Sequence, residues 1–286
     1  MLLTLVAGLV LAAAQQLDTT VVAERGQRLH VNAYGGDVTV GTWTRNAVRV
    51  QANESGRSRV ELLTSGTTVN VRTQGGRHGP PSDLSLRITV PVWMPLTLSG
   101  VNTDARVTGI RAPISVETVE GEIDVSGGDG LISLRSVQGS VSLRGARGRI
   151  SVNSVNEDVT VANSTGEIIL ETVDAGTVDA NTINGDITYA GPIRSGGRYA
   201  LSTHNGDILL TVPEGVSANV AVSTFNGEFE SEFPVPVSQT RKGKGFNFVL
   251  GSGSAQVTLE SFQGTIQLVR PGGRADRERR NRQSED

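Results

Sequence analysis

Glycine recurs in this chain at a fixed interval, and that interval limits what the chain can fold into. Gly121, Gly130, Gly139, Gly148 and Gly166 lie nine residues apart or twice that, and Glu157 fills the one step that lacks glycine. Each step is followed by an apolar–polar–apolar triplet, as in Ile123-Asp124-Val125, Ile132-Ser133-Leu134, Val141-Ser142-Leu143, Ile150-Ser151-Val152 and Val159-Thr160-Val161. Alternation with β-branched residues predicts a short, half-buried strand. Each repeated unit is therefore one strand and one turn.

Every second unit carries a fuller motif: a hydroxyl residue, an apolar residue, a polar residue and then glycine. The copies are Thr118–Gly121, Ser136–Gly139, Ser154–Glu157 (with Glu replacing Gly), Thr182–Gly185, Thr203–Gly206, Thr224–Gly227 and Ser261–Gly264. Their spacing predicts coils of roughly 18 residues, lengthening to roughly 21 residues, with two strands in each coil. One coil cannot bury its apolar face alone, whereas stacked coils share a core. We therefore predict an all-β fold, a β-solenoid resembling a parallel β-helix.

We expect one turn per coil to be marked by a column of structural glycines: Gly121, Gly139, Gly185, Gly206, Gly227 and Gly264. The neighbouring Asn and Gln side chains should form an amide ladder. The Ser and Thr hydroxyls of the motif should bond to backbone groups of the turns.

The remaining segments give the domain organisation. Residues 1–14 have the apolar run and the Ala-rich end of a signal peptide, which predicts a mature chain beginning at Gln15. Residues 15–100 alternate less regularly and are expected to be an N-terminal β cap, followed by solenoid repeats over 101–270. Residues 271–286 are expected to be a disordered charged tail. No later segment is long and apolar enough to predict a transmembrane anchor.

Composition excludes several function classes. The chain has no cysteine, which excludes a disulfide scaffold, a thiolate zinc site and a cysteine nucleophile. Its formal net charge is −3, so the charge balance gives no indication of a nucleic-acid partner.

The sequence resembles the bacterial putative adhesin family of β-strand-repeat proteins over roughly residues 18–270. The resemblance is carried by Leu29-x-Val31, Gly36–Val40, Trp43, Val48–Val50, Ile88–Pro91, the Asn-Gly-Asp/Glu turns, and Gly251-x-Gly253 followed by Val257–Ile266. It implies an exported or envelope-associated β-solenoid with an adhesive or envelope-stress role. The family offers no catalytic residues to transfer.

Signals for chemistry are weak. His204 replaces an apolar residue of the repeat, so we expect it to be packed, and His30 and His78 lie too far apart in the pattern for a metal site. Gly127–Gly130 resembles one turn of a calcium-binding roll but is not repeated. Acidic residues follow the turn glycines, and we interpret them as solvated turn residues: Glu122, Asp158, Glu167, Asp186, Asp207 and Glu228. We predict no cofactor, no metal and no enzymatic activity.

The polar members of the strands should point outward, with Ser115, Ser133 and Ser151 stacked in one column and Asp124, Ser142 and Thr160 in another on the opposite sheet. The serine column is our candidate ligand face, because repeated hydroxyl groups suit an extended polymer such as a glycan. The sequence favours a periplasmic, envelope or extracellular adhesin-like protein that binds a glycan or another envelope component. Two alternatives stay open: a glycan-active β-helix enzyme and a self-assembling envelope scaffold.

Overall fold

The computed structural model describes residues 15–54, 58–75, 84–235 and 245–273, and within them every regular element is a β-strand. The first strands are β1 (Gln15–Val22), β2 (Arg28–Ala33), β3 (Gly36–Trp43), β4 (Ala47–Glu54), β5 (Ser58–Ser65), β6 (Thr68–Gly75), β7 (Ser85–Pro91) and β8 (Leu96–Gly100). The next are β9 (Thr103–Thr108), β10 (Ile114–Glu120), β11 (Ile123–Ser126), β12 (Asp129–Gln138), β13 (Val141–Ser154), β14 (Val159–Thr165), β15 (Ile168–Glu171) and β16 (Thr177–Asn184). The last are β17 (Ile187–Ala190), β18 (Arg198–Asn205), β19 (Ile208–Thr211), β20 (Ala218–Thr224), β21 (Phe229–Ser231), β22 (Phe246–Leu250), β23 (Ala255–Gln263) and β24 (Ile266–Val269).

The strands stack into two faces, and each coil contributes one strand, or rung, to each face. Sheet 1 has the order β5-β6-β2-β8-β10-β12-β13-β15-β17-β19-β24-β21. Sheet 2 has the order β1-β4-β7-β3-β9-β11-β13-β14-β16-β18-β23-β20-β22. The long strand β13 pairs in sheet 2 with its first half and in sheet 1 with its second half, which joins both faces into one 24-stranded sheet. The predicted two-strand β-solenoid is confirmed.

One hydrophobic core runs between the two sheets. The first and third residues of each triplet point inward, as Ile132 and Leu134 do, and both are fully buried. Ile150 lies in the middle of the stack with no exposed surface, as the alternation predicts. Because each rung is only a few residues long, the core depends on stacking rather than on any single coil.

The two ends of the stack are closed by antiparallel strands. At the N-terminal end these are β1, β4 and β5. At the C-terminal end β22 pairs antiparallel with β20, and Phe229, Phe246 and Phe248 pack together at centroid distances of 4.9 to 6.1 Å. Parallel rungs continue through residue 100, because β8 pairs with β2 on one side and β10 on the other. The parallel strands of the predicted cap and those of the solenoid therefore belong to the same continuous stack of rungs. The predicted signal peptide, residues 1–14, and nearly all of the predicted charged tail, residues 271–286, lie outside the described residues.

The turn glycines differ from the prediction in one respect: they form two columns at opposite corners of the coil. Gly121 and Gly139 lie where the chain passes from sheet 1 to sheet 2, whereas Gly185, Gly206, Gly227 and Gly264 lie where it returns. Both corners require glycine for the same reason. A Cβ atom would lie 2.0 Å from the carbonyl oxygen of Gly121 at Gly139, and 2.0 Å from that of Gly185 at Gly206.

The order of coils at the C-terminal end also differs from the order in the sequence. The even spacing of Gly185, Gly206 and Gly227 predicts that the Gly227 coil lies directly on the Gly206 coil. In the structure β23 lies between β18 and β20, and β24 lies between β19 and β21. The last coil in the chain is therefore inserted beneath the one that precedes it.

Candidate binding surface

The three predicted serines form a column in register on sheet 1. Ser115 pairs with Ser133, and Ser133 pairs with Ser151, each one rung further along the stack. All three are half-buried with apolar neighbours on both sides in their strands. The stacking follows from the constant spacing between successive triplets, which sets the register of the parallel pairs. The predicted geometry of this column is confirmed.

The column continues beyond the three serines towards the N-terminal end. We define the neutral row as Asn70, His30, Thr97, Ser115, Ser133 and Ser151, which are successive register partners on β6, β2, β8, β10, β12 and β13. All six are half-buried, and none is a carboxylate, Lys or Arg. At ~4.8 Å per rung the row is ~24 Å long. The sequence signal for Thr97 was the same apolar–polar–apolar triplet, Leu96-Thr97-Leu98.

The neutral row ends abruptly at its C-terminal side. The next register partners are Ile169 and Thr188, which are only 7% and 6% exposed. The row two residues further along each strand carries charges instead, and Arg135 lies 3.7 Å from Glu117 in that row. A ligand on this face would therefore meet an uncharged, hydrogen-bonding track beside a charged one.

The column on sheet 2 is chemically different. Asp124, Ser142 and Thr160 are register partners, which confirms their predicted stacking. Asp124 lies 3.7 Å from Arg106 and 3.4 Å from Arg144, so it forms ion pairs with both neighbouring rungs of this face. Exposed ion pairs of this kind contribute little stability. Because charged residues interrupt its outward columns, sheet 2 has no uninterrupted neutral column as long as the neutral row of sheet 1 among the described residues.

The hydroxyl groups of six of the seven turn motifs bond to backbone carbonyls, as predicted, whereas Thr224 Oγ1 is buried without a hydrogen-bond partner. Thr203 Oγ1 donates to the carbonyl of Gly185 at 2.9 Å, and Ser261 Oγ donates to that of Gly206 at 3.0 Å. The amide ladder is present as well, since Asn205 Nδ2 donates to Asn184 Oδ1 at 2.7 Å. These bonds satisfy buried backbone groups that would otherwise destabilise the turns.

Four of the carboxylates that follow the turns do more than face solvent: Glu167 accepts from Arg149 Nε at 3.0 Å, and three aspartates accept from backbone groups. The backbone N–H groups of Thr177, Asp207 and Thr265 on the next rung donate to Asp158, Asp186 and Asp207 at 2.7 to 2.9 Å. Such charge-assisted bonds are stronger than neutral ones. The interpretation as merely solvated turn residues is therefore wrong for these aspartates, which join one rung to the next.

His204 is not packed in the core, contrary to the prediction. It is exposed at the corner and stacks on Phe262 at a centroid distance of 4.6 Å, and Phe262 stacks on Phe225 at 4.9 Å. The apolar residue of the motif follows a buried hydroxyl residue, so strand alternation turns it outward. Val119 and Ile183 are accordingly about half exposed, at 46% and 52%.

A buried tyrosine pair supports two of the longer connections between the sheets. Tyr189 Oη donates to the Pro192 carbonyl at 2.8 Å, and Tyr199 Oη accepts from the Arg194 N–H at 2.8 Å. Burial raises the pKa of both phenols above the ordinary value. Arg194 also hydrogen-bonds Asp174, which lowers the pKa of that carboxyl group. These groups have structural partners, so we assign them to stability.

In the part of the chain that the structure describes, no cluster of three or more His, Asp or Glu side chains is arranged to hold a metal ion. The same residues include no helix long and apolar enough to span a bilayer.

These faces and columns define a parallel two-sheet β-solenoid. Over residues 26–269 the chain matches the family described as Toastrack DUF4097, a domain of unknown function, and it belongs to that family. No curated protein matches the chain.

Solved structures show remote likeness. A putative adhesin from Parabacteroides merdae ATCC 43184 is 10% identical, with 90% of this chain and 97% of that one covered and a TM-score of 0.43. A putative cell adhesion protein from Clostridium sporogenes ATCC 15579 is 8% identical, with 90% and 100% covered and a TM-score of 0.30. A putative lipid binding protein from Parabacteroides distasonis ATCC 8503 is 11% identical, with 90% and 98% covered and a TM-score of 0.29. We draw no functional argument from similarity at this level.

Proposed function

We propose that this chain is an exported, non-enzymatic, adhesin-like protein of the cell envelope or extracellular space. Its ligand is an extended, largely uncharged polymer, with a glycan as the favoured class. The signal-like sequence of residues 1–14 supports export. The neutral row on sheet 1 is the single observation that carries the binding proposal.

The row suits a polymer because both have a repeat along one axis. Polar side chains recur every ~4.8 Å over ~24 Å, and none of them is a carboxylate, Lys or Arg that would repel or select a charged ligand. A glycan presents hydroxyl groups along its length and can make many weak hydrogen bonds to such a track. Each bond contributes little after desolvation, so affinity would come from their number and from the rigidity of the stack.

The test replaces the track without disturbing the core. Ser133→Arg/Ser151→Arg places two long cationic side chains in the middle of the row, where the half-buried positions let them extend into solvent. We expect unchanged far-UV circular dichroism and loss of sedimentation with a panel of cellulose, chitin and purified bacterial cell wall.

The matched control makes the same change on sheet 2. Thr108 and Ser126 are exposed register partners on adjacent rungs, so Thr108→Arg/Ser126→Arg adds equal charge to the opposite face. This control should retain binding. Equal binding by both double variants would remove the neutral row as the site, and equal loss would assign the effect to net charge.

A further inference from the structure

The C-terminal end of the stack pairs with the rest of the fold through a single coil, β23 and β24. We define the C-terminal unit as the described residues of 218–269, with strands β20 to β24, and the body as residues 15–211. Within the described residues, β20, β21 and β22 pair with no strand of the body. The strand pairing between unit and body runs through β23 on β18 and β24 on β19.

The contacts at this junction are those of an ordinary rung. The register pairs include Tyr199 with Val257 and Leu201 with Leu259, all buried in the core. The corner adds the bond from Ser261 Oγ to the Gly206 carbonyl at 3.0 Å. The Phe262 ring stacks on His204 across the same junction. Each of these contacts joins one group in the body to one in the unit.

The covalent link between the body and the C-terminal unit is short, although it has to span two rungs of the stack. Residues 212–217 lead from β19 to β20, which lies two rungs beyond β18 because β23 occupies the rung between. The link therefore rises ~9.6 Å along the stack rather than ~4.8 Å. Gly215 within it has φ +77° and open space around its Cβ position. A cavity of about 280 Å³ lies beside the link and is lined partly by Pro213 and Val216.

From this topology we propose that the C-terminal unit is exchanged between two copies of the chain. The β18–β19 edge of each body is then completed by β23 and β24 of its partner. A reciprocal exchange keeps every body–unit contact and changes only the path of residues 212–217. Exchange of an identical element is a low-cost route to a dimer for this reason. The insertion of β23 and β24 favours this exchange. Because these strands come last in the chain, the edge formed by β18 and β19 stays unpaired until they have been added, and the same strands of a second copy can pair with it.

The chain has no cysteine, so each introduced cysteine is the only thiol of its chain in a cross-linking test. Ser202 and Glu260 are register partners across the junction, and neighbouring strands place Cα atoms within the range that a disulfide spans. Ser202→Cys and Glu260→Cys are made in separate chains, which are mixed, unfolded, refolded together and then oxidised. We expect a disulfide between residues 202 and 260 of different chains, detected by mass spectrometry of the linked peptides.

Two controls make the result decisive. Ser202→Cys mixed with Ser126→Cys places both thiols on the body, so exchange cannot bring them together, and their cross-link measures random collision. Ser202→Cys/Glu260→Cys in one chain should form an intrachain disulfide, which verifies the register. The proposal predicts several-fold more interchain cross-link for the 202–260 mixture than for the 202–126 mixture. Equal yields, with the intrachain disulfide formed, would overturn it.

Shortening the link provides an independent test. Deleting Pro213 to Val216 leaves a segment between Thr211 and Ala218 that reaches only ~11 Å when fully extended. A rise of ~9.6 Å combined with a crossing of ~10 Å between the sheets needs ~14 Å, so the shortened link cannot close within one chain. Light scattering should show a dimer for the unaltered chain as well as for the refolded variant, both with the same circular dichroism. A monomeric unaltered chain would contradict the proposal, whether or not the variant folds, because the dimer would then require the shortened link.

Discussion

A methyl group added at Gly139, in the turn between β12 and β13, should destabilise the protein far more than one added at Gly145 in β13. At Gly139 the backbone has φ +144°, and a Cβ atom would lie 2.0 Å from the carbonyl oxygen of Gly121 on the adjacent rung. At Gly145 the backbone is also left-handed, with φ +64°, but no heavy atom lies within 4 Å of the Cβ position. Gly139 therefore combines a backbone conformation that essentially only glycine adopts with a clash between rungs, whereas Gly145 has the milder left-handed cost alone.

The magnitude follows from the bonds at that corner. Left-handed backbone costs a non-glycine residue about 1–2 kcal/mol at Gly145, and the φ of Gly139 costs about 1–3 kcal/mol. To accept the Gly139→Ala methyl, the two rungs have to move apart by more than about 1 Å. That movement breaks or strains the bonds from Gly121 N–H to Gln138 O and from Ile123 N–H to Ser140 O, both 2.9 Å. Each bond contributes about 0.5–1.5 kcal/mol, so we expect a total loss of about 2–6 kcal/mol.

Urea unfolding followed by far-UV circular dichroism measures the difference. Gly139→Ala should lower the free energy of unfolding by about 2–6 kcal/mol and Gly145→Ala by about 1–2 kcal/mol, with melting temperatures lower by roughly 10 and 4 °C. Equal losses in the two variants would show that the glycine column is not required by contact between rungs.

Three further predictions concern the core, the corner and the acid range. Ile150→Asp should cost several kcal/mol because it buries an unpaired charge, whereas Leu131→Asp, at a position 56% exposed, should cost little in the same urea assay. Phe262→Ala removes two ring stacks and Phe225→Ala removes one, so thermal melts should show about twice the loss for Phe262, at about 0.5–1.5 kcal/mol per stack. Arg194 lowers the pKa of Asp174 in the folded protein, so the stability this pair contributes is present above pH 3.8 and is lost as the pH falls through the lowered value. Asp174→Asn should flatten the decline of stability in that acid window, and an unchanged decline would assign it to other carboxyl groups.

Local pattern was sufficient to predict the strands and the columns on them. The constant spacing of the triplets fixes which side chains become register partners, so the positions of Ser133 and Ser151 follow from the sequence alone. Alternation also identifies the buried residues, including Ile150. The position of His204 could have been predicted in the same way, because it follows the buried Thr203 and must therefore point outward.

The placement of equivalent units could not be predicted from the sequence. A coil has two corners, and each brings a carbonyl oxygen close to the Cβ position of the next rung, so the same motif suits Gly139 at one corner and Gly206 at the other. The inserted coil is equally ambiguous. Thr224 and Ser261 begin matching motifs, and either could stack on Thr203, so the choice between them depends on how the whole C-terminal end packs.

The dependence of binding on polymer length tests the central functional claim most directly. Size-fractionated oligosaccharides, prepared from whichever polysaccharide the protein sediments with, are titrated by calorimetry against the full-length chain. A track of ~24 Å predicts that affinity rises with oligomer length until the oligomer spans the neutral row and then levels off. An affinity that is already maximal for the shortest fragment would contradict the account, because it would indicate a compact pocket rather than an extended face.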